Sequence, residues 1–145
     1  MARIRMTFPP TFQFETVLDV RISDINYGQH LGNDAVLALA HEARLRYLAA
    51  NGFSEKDVGG AGLIMLDAAI VYRAQARWGD RLLIQIAIGE IGACDFDLYY
   101  RLARQDDGAE IAVVKTTLAF FDYCSSRVAR TPSVFRQKMT PVRSE

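Results

Sequence analysis

"SDINYGQHLGND", residues 23–34, packs two Asp, two Asn, a His, a Tyr and two Gly into twelve positions. A plain connector needs one or two turn residues, so this segment carries more chemistry than a turn requires. Before it, "TFQFETVLDVRI" (11–22) alternates, with Phe12, Phe14, Thr16, Leu18, Val20 and Ile22 on one face. That is the pattern of a half-buried strand. After it, "NDAVLALAHEARLRYLAANG" (33–52) reads as one helix. Asn33 is expected to cap it, Asp34 suits the positive first turn, Arg44 and Arg46 suit the negative end, and Gly52 closes it. Its first two turns, AVLALA, are apolar all round, which predicts a helix enclosed by other elements.

Four strand patterns follow. "LIMLDAAIVYRAQARW" (63–78) is long and mostly apolar on both faces, with Asp67 among Leu66, Ala68 and Ala69. A turn at Gly79-Asp80 leads to "RLLIQIAIGEI" (81–91), and "DFDLYYRLAR" (95–104) alternates through Phe96, Leu98, Tyr100 and Leu102. "QDDG" (105–108) turns into "AEIAVVKTTLAFFDY" (109–123). Residues 124–145 are expected to form a short helix or a loose tail. The chain then reads as a single domain, 1–145, with a core over about 12–123 and the order strand, helix, four antiparallel strands. A helix of ~17 residues is ~25 Å long and lies along one curved sheet. The long 61–78 strand, apolar on both sides, is an aggregation hazard when left unpaired, which predicts a homodimer or tetramer joined through an edge strand.

Seventeen basic side chains balance seventeen acidic ones among 145 residues, half of them hydrophobic. No basic excess favours nucleic acid or an anionic membrane surface. MTFPP after Arg3 and Arg5 is no secretory h-region, and no apolar run approaches the ~20 residues of a membrane span. Cys94 and Cys124 have no CxxC spacing and are expected to be buried reduced thiols, which fits a cytoplasmic protein. Two histidines without HExxH give no metal site, and no GxSxG elbow marks a serine hydrolase. "GGAG" (59–62) is not a dinucleotide fingerprint.

Asp24, Asn26, His30 and Asn33 in "RISDINYGQHLGND", Glu42 and Arg44 in "HEARLRYL", and Tyr72, Ala76, Gly79 and Asp80 in "IVYRAQARWGDRLLI" stand in a telling order. The chain thereby resembles the hotdog-fold acyl-CoA thioesterases of the 4-hydroxybenzoyl-CoA thioesterase-like family, over roughly residues 12–123. The resemblance implies an α+β hotdog fold, one long central helix wrapped by a five-stranded antiparallel sheet, oligomeric. It also implies acyl-CoA hydrolysis in a site between two subunits, with coenzyme A as part of the substrate and no separate cofactor.

Thioester hydrolysis needs a polarised carbonyl and an activated water, and amides at a helix start are suitable donors. Tyr27, Gly28, Gly32 and Asn33 are therefore expected to meet the substrate. The related branch has a nucleophilic or basic Asp where this chain has Asn26. An amide is a poor base, so Asn26 suits polarising or orienting. The proton acceptor is left among Asp24, Glu42 and Asp67, with Asp34 assigned to the helix dipole. His30 can assist as acid or donor, while His41 reads as structural. Arg77 and Trp78, with Arg127, Arg130 and Tyr99, are candidate contacts for the phosphates and adenine of coenzyme A. A non-catalytic acyl-CoA binding protein remains the alternative, because of Asn26.

Overall fold

A computed structural model describes residues 2–141. Strand β1 (Phe14–Asp19) is followed by a single 3-10 turn, Ile22–Asp24, and helix α1 (Asn33–Ala50). Four long strands come next: β2 (Gly62–Tyr72), β3 (Arg81–Ile91), β4 (Asp95–Arg104) and β5 (Glu110–Asp122). A two-residue strand β6 (Arg127–Val128) and helix α2 (Ser133–Met139) complete the described chain. Every pairing is antiparallel, in the order β1-β3-β4-β5-β2, with β6 paired to the end of β5. The expected sheet of five strands thus has a sixth, short member.

The alternation read from the sequence builds the floor of the core. Leu82, Ile84, Ile86 and Ile88 of β3, with Phe96, Leu98, Tyr100 and Leu102 of β4, are buried on one face. Ala112, Val114, Thr116, Leu118 and Phe120 of β5 continue that face. Register irregularities at Met65/Asp67, Ile88/Ile91 and Leu102/Ala103 interrupt three of the ladders. Such bulges bend strands, which lets the sheet curve about α1. The helix, ~27 Å long at 1.5 Å per residue, lays Val36, Leu39, Ala40, Ala43, Tyr47 and Leu48 onto the sheet. These positions recur at three- and four-residue intervals, one face of a helix.

Several expectations are corrected here. Within the described chain α1 is not enclosed all round: Ala38 and Leu45 are exposed and Leu37 is half-buried. The N-cap is Gly32 rather than Asn33, and no side chain caps it. Arg44 does not serve the helix C-terminus but is buried. Phe12 and Ile22 are exposed, because the strand begins only at Phe14 and ends at Asp19, before the 3-10 turn. Neither cysteine is fully buried, since Cys94 is half-buried and Cys124 exposed, although both are free thiols.

The core does not stop near Tyr123. Phe135 and Met139 of α2 are buried, and the Phe135 ring lies 4.6 Å from Phe96 and 5.0 Å from Phe120, centroid to centroid. Fully burying one Phe contributes ~1.5–3 kcal/mol, enough to hold a seven-residue helix that has little stability of its own. Residues 142–145 of the expected tail lie outside the described residues.

Candidate active site at the start of the central helix

The loop between the 3-10 turn and α1 is built around the side chain of Asn26. Its Oδ1 accepts the backbone N–H groups of Gly28 (3.0 Å) and His30 (3.2 Å). The Asn26 N–H donates to the His30 carbonyl (2.9 Å), and its carbonyl accepts from Gln29 (3.0 Å). These contacts fix which side-chain atom is oxygen, so Nδ2 points away from the cage, and no acceptor among the described residues takes it. Gln29 carries the left-handed backbone, at φ 64°, that the sequence would assign to a glycine. Leu31 then docks the loop by donating to the Ala76 carbonyl (2.8 Å).

Asp24 is buried behind this cage. Its carboxylate accepts the Arg21 N–H (2.8 Å) and meets the Arg21 guanidinium at 3.4 Å, while its carbonyl accepts the Gly32 N–H (2.9 Å). Asp24 thus shapes the approach to α1 and does not line the cleft. At Gly32 an added Cβ would stand 2.7 Å from Asp34 Oδ1 and 3.5 Å from the Asp24 carbonyl oxygen. The missing Cβ leaves room for the Asp34 carboxylate to fold back against the helix start. Among the described residues no cation and no donor pairs with this carboxylate, and the Asn33 N–H has no acceptor.

The Tyr72 hydroxyl, at the end of β2, donates to the Asn33 carbonyl (2.8 Å). Burial, then the neighbouring Asp34 charge, pushes the Tyr72 phenol above its usual range. Asn26, Tyr27, His30, Asn33 and Tyr72 line a cleft of about 430 Å³, closed at the back by Leu31, Val36, Ala76 and Ile111. Four of the expected residues, Asn26, Tyr27, His30 and Asn33, therefore meet in one place, and Gly28 and Gly32 lie in the loop that forms its wall.

The other candidates are elsewhere. Glu42 is exposed and pairs with Arg46 (3.3 Å), which reaches Thr16 Oγ1 (2.8 Å) on β1. Asp67 lies on the sheet face opposite α1, with Lys115 (2.9 Å) and the Thr117 N–H (3.1 Å). The hydrogen bond from Lys115 holds the Asp67 carboxyl below the usual carboxylate range. Within one chain neither Glu42 nor Asp67 faces the cleft. Arg77 and Trp78 are exposed on the connection from β2 to β3, beyond the Tyr72 end of β2. Arg127 and Arg130 lie at the opposite end of the sheet, past Phe121. Ala112, the partner of Tyr72, and Phe121 are nine residues apart on β5, or ~30 Å at ~3.3 Å per residue. One chain therefore does not bring Arg77 and the Arg127–Arg130 pair to one phosphate group.

The sequence profile of the thioesterase-like superfamily matches residues 20–139. The chain belongs to that superfamily. Among solved structures, a 1,4-dihydroxy-2-naphthoyl-CoA thioesterase from Synechocystis superposes with a TM-score of 0.80 at 22% identity. The alignment covers 87% of this chain and 94% of that one. A Staphylococcus aureus protein solved in complex with CoA gives a TM-score of 0.80 at 16% identity, covering 96% of this chain and 93% of that one. A gentisyl-coenzyme A thioesterase gives 0.78 at 19% identity, covering 88% and 100%. No curated protein sequence matches the chain. At these identities the structural neighbours establish the shared hotdog architecture.

In this thioesterase-like chain Asp34 stands in the first turn of α1, as expected, with its carboxylate unpaired among the described residues. One feature escaped the sequence reading, a cluster made by His41, Arg44 and Glu55. Arg44 Nε donates to Glu55 Oε1 (2.8 Å), and His41 Nε2 is 3.3 Å from the same carboxylate. His41 and Arg44 are three residues apart, a helical neighbour spacing, and that was the available signal. Glu55 in the following loop carried none. No group of His, Cys, Asp and Glu among the described residues is arranged to hold a metal ion. No helix among them is long and apolar enough to cross a membrane.

Proposed function

We propose that the chain hydrolyses acyl-CoA thioesters, releasing coenzyme A and a free carboxylic acid, at the start of α1. The observation carrying this reading is that Asn26 and Asn33 line one cleft while neither Asn26 Nδ2 nor the Asn33 N–H has an acceptor among the described residues. A thioester oxygen placed between them gains negative charge as water adds, and each such donor is worth ~10²–10³ in rate. The attacking water loses its proton to the Asp34 carboxylate. The tetrahedral intermediate then expels the thiolate of coenzyme A, which takes the proton back. His30 supplies a second polar contact in the cleft, and Tyr72 fixes the first turn of α1.

Coenzyme A enters only as part of the substrate. Arg77 meets its phosphates and the exposed Trp78 ring its adenine. The outer edge of β2 has no strand partner among the described residues, and β2 exposes Ile64, Leu66 and Tyr72. A second copy pairs there and covers the cleft, giving a homodimer or a tetramer built from dimers. The free thiols fit a reducing compartment such as the cytoplasm.

Thiol release from a panel of acyl-CoA esters tests the reading. Saturable turnover with at least one acyl group supports it, and its absence across the panel sinks it. One observation favours a second reading, a non-catalytic acyl-CoA binding protein: no carboxylate side chain lines the Asn26 cleft itself. Tight binding of acyl-CoA without thiol release is its signature.

A further inference from the structure

A second opening, a groove of about 410 Å³, runs along α1 from Asp34 to His41 between the helix and β2. Its middle is apolar, formed by Leu37, Ala38, Leu63, Met65 and Leu118. Its far end is polar. Glu55 is held there by Arg44 at 2.8 Å and by His41 at 3.3 Å. Arg44 is 4% exposed, and its Nη1 donates to the Tyr100 hydroxyl (3.1 Å), which bonds Thr116 Oγ1 (2.7 Å). A guanidinium and a phenol taken into a hydrophobic core cost solvation. They form a rigid backing that fixes the Glu55 carboxylate at the groove's end, where a carboxylate has acceptor positions to spare. His41 Nδ1 has no partner among the described residues.

We infer that this groove receives the acyl chain, and that its far end recognises a neutral hydroxyl on the acyl group, remote from the thioester. The position of the thioester carbonyl rests on the proposed thioesterase reading; the preference for a hydroxyl rests on the groove. Asp34 and His41 are seven residues apart, ~10.5 Å along the helix. An extended chain of roughly eight carbons spans that, at about 1.25 Å of axial advance per ~1.5 Å bond. A hydroxyl there donates to Glu55 or to the open Nδ1 of His41, whose Nε2 faces Glu55. The formal charges of Asp34, Glu55 and Arg44 leave one negative charge in the groove, which disfavours a terminal carboxylate. A plain methyl end strips water from Glu55 and returns no hydrogen bond.

Calorimetric binding of three chain-matched, non-hydrolysable oxoalkyl thioethers of coenzyme A tests the inference: plain octyl-length, ω-hydroxy and ω-carboxy. The ω-hydroxy analogue is expected to bind tightest, by about tenfold over the plain chain, and the ω-carboxy analogue weakest. In Glu55→Gln the hydroxyl advantage falls to about threefold or less. Because that change leaves Arg44 without its partner and can destabilise the fold, His41→Leu, on the exposed helix face, provides an independent variant with the same expected loss. Equal or tighter binding of the plain chain, a preference for the carboxylate, no binding of any analogue, or a hydroxyl advantage that survives in the folded variants each overturns the inference. Thiol release from the corresponding thioesters is measured separately. Hydrolysis without hydroxyl preference sinks the groove assignment alone; hydroxyl preference without hydrolysis sinks the thioesterase reading alone.

Discussion

The hydroxyl of Tyr72 donates to the carbonyl of Asn33 across 2.8 Å, joining the last residue of β2 to the first residue of α1. The helix start is thereby positioned by the strand whose outer edge is open, so geometry at the cleft is coupled to whatever pairs with β2. Tyr72→Phe removes this one bond and keeps the ring. Stability is expected to fall by about 1 kcal/mol or less, read by urea unfolding. Thiol release is expected to fall further than that, and wild-type turnover in the variant would dismiss the coupling.

Asp34 and Asp24 separate by their surroundings. Asp34→Asn removes the proposed proton acceptor from an exposed site. Turnover is expected to drop ~10²–10⁴-fold, with stability within ~0.5 kcal/mol of wild type. Asp24→Asn instead weakens the bonds that Arg21 makes to a buried carboxylate, at ~1.5–3 kcal/mol, and lowers turnover only as far as the loop loosens. The reverse pattern in thermal unfolding and thiol-release assays would return the basic role to Asp24.

Asn26→Ala deletes both the cage oxygen and the Nδ2 donor. A loss of ~10²–10³ in turnover is expected from the donor alone. Asn26→Asp preserves the cage oxygen, so its unfolding midpoint stays closer to wild type than that of Asn26→Ala, while its turnover still falls.

Phe135→Ala is expected to cost ~3–5 kcal/mol, as for a large ring deleted from a packed core, because Phe53, Phe96 and Phe120 all close on that ring. Chemical denaturation checks it. A cost below 1 kcal/mol would mean that α2 is only loosely laid on the sheet.

Alkaline stability follows from Tyr47, whose phenol burial pushes up to about 12 from 10.0. The unfolded chain loses this proton first, so the contribution is fully present below pH 10 and is lost as pH rises toward 12. Within that window one such group costs about 1.4 kcal/mol per pH unit. Tyr100, also raised by burial against the pull of Arg44, adds to the slope. Tyr47→Phe is expected to flatten the fall in unfolding free energy without abolishing it. An unchanged slope would show that the hydroxyl ionises freely in the folded chain.

The sheet and the long helix were legible because their signals are periodic. Leu82 to Ile88 and Phe96 to Leu102 alternate, and the helix at 33–50 begins and ends within two residues of the expected bounds. The tail was harder to read, since α2 offers only Val134, Phe135 and Met139 as apolar residues in one short segment, and its burial depends on a pocket between distant strands. Within the site, the polar density of residues 23–34 located the cleft. It did not separate the surroundings of Asp24 and Asp34, because burial against Arg21 and exposure in the first turn depend on the folded loop. Asp67 looked active for its apolar neighbours, yet Lys115, forty-eight positions away, satisfies it across the sheet.

The hydrogen bonds around Asn26 ask only for an oxygen. An aspartate in its place would accept the same two amides and leave the loop's backbone path intact, while turning the atom that faces the cleft from a donor into an acceptor. Architecture and reactivity are thus decoupled at this residue. A lineage carrying this loop can exchange one chemistry for the other in a single substitution without rebuilding the chain around it.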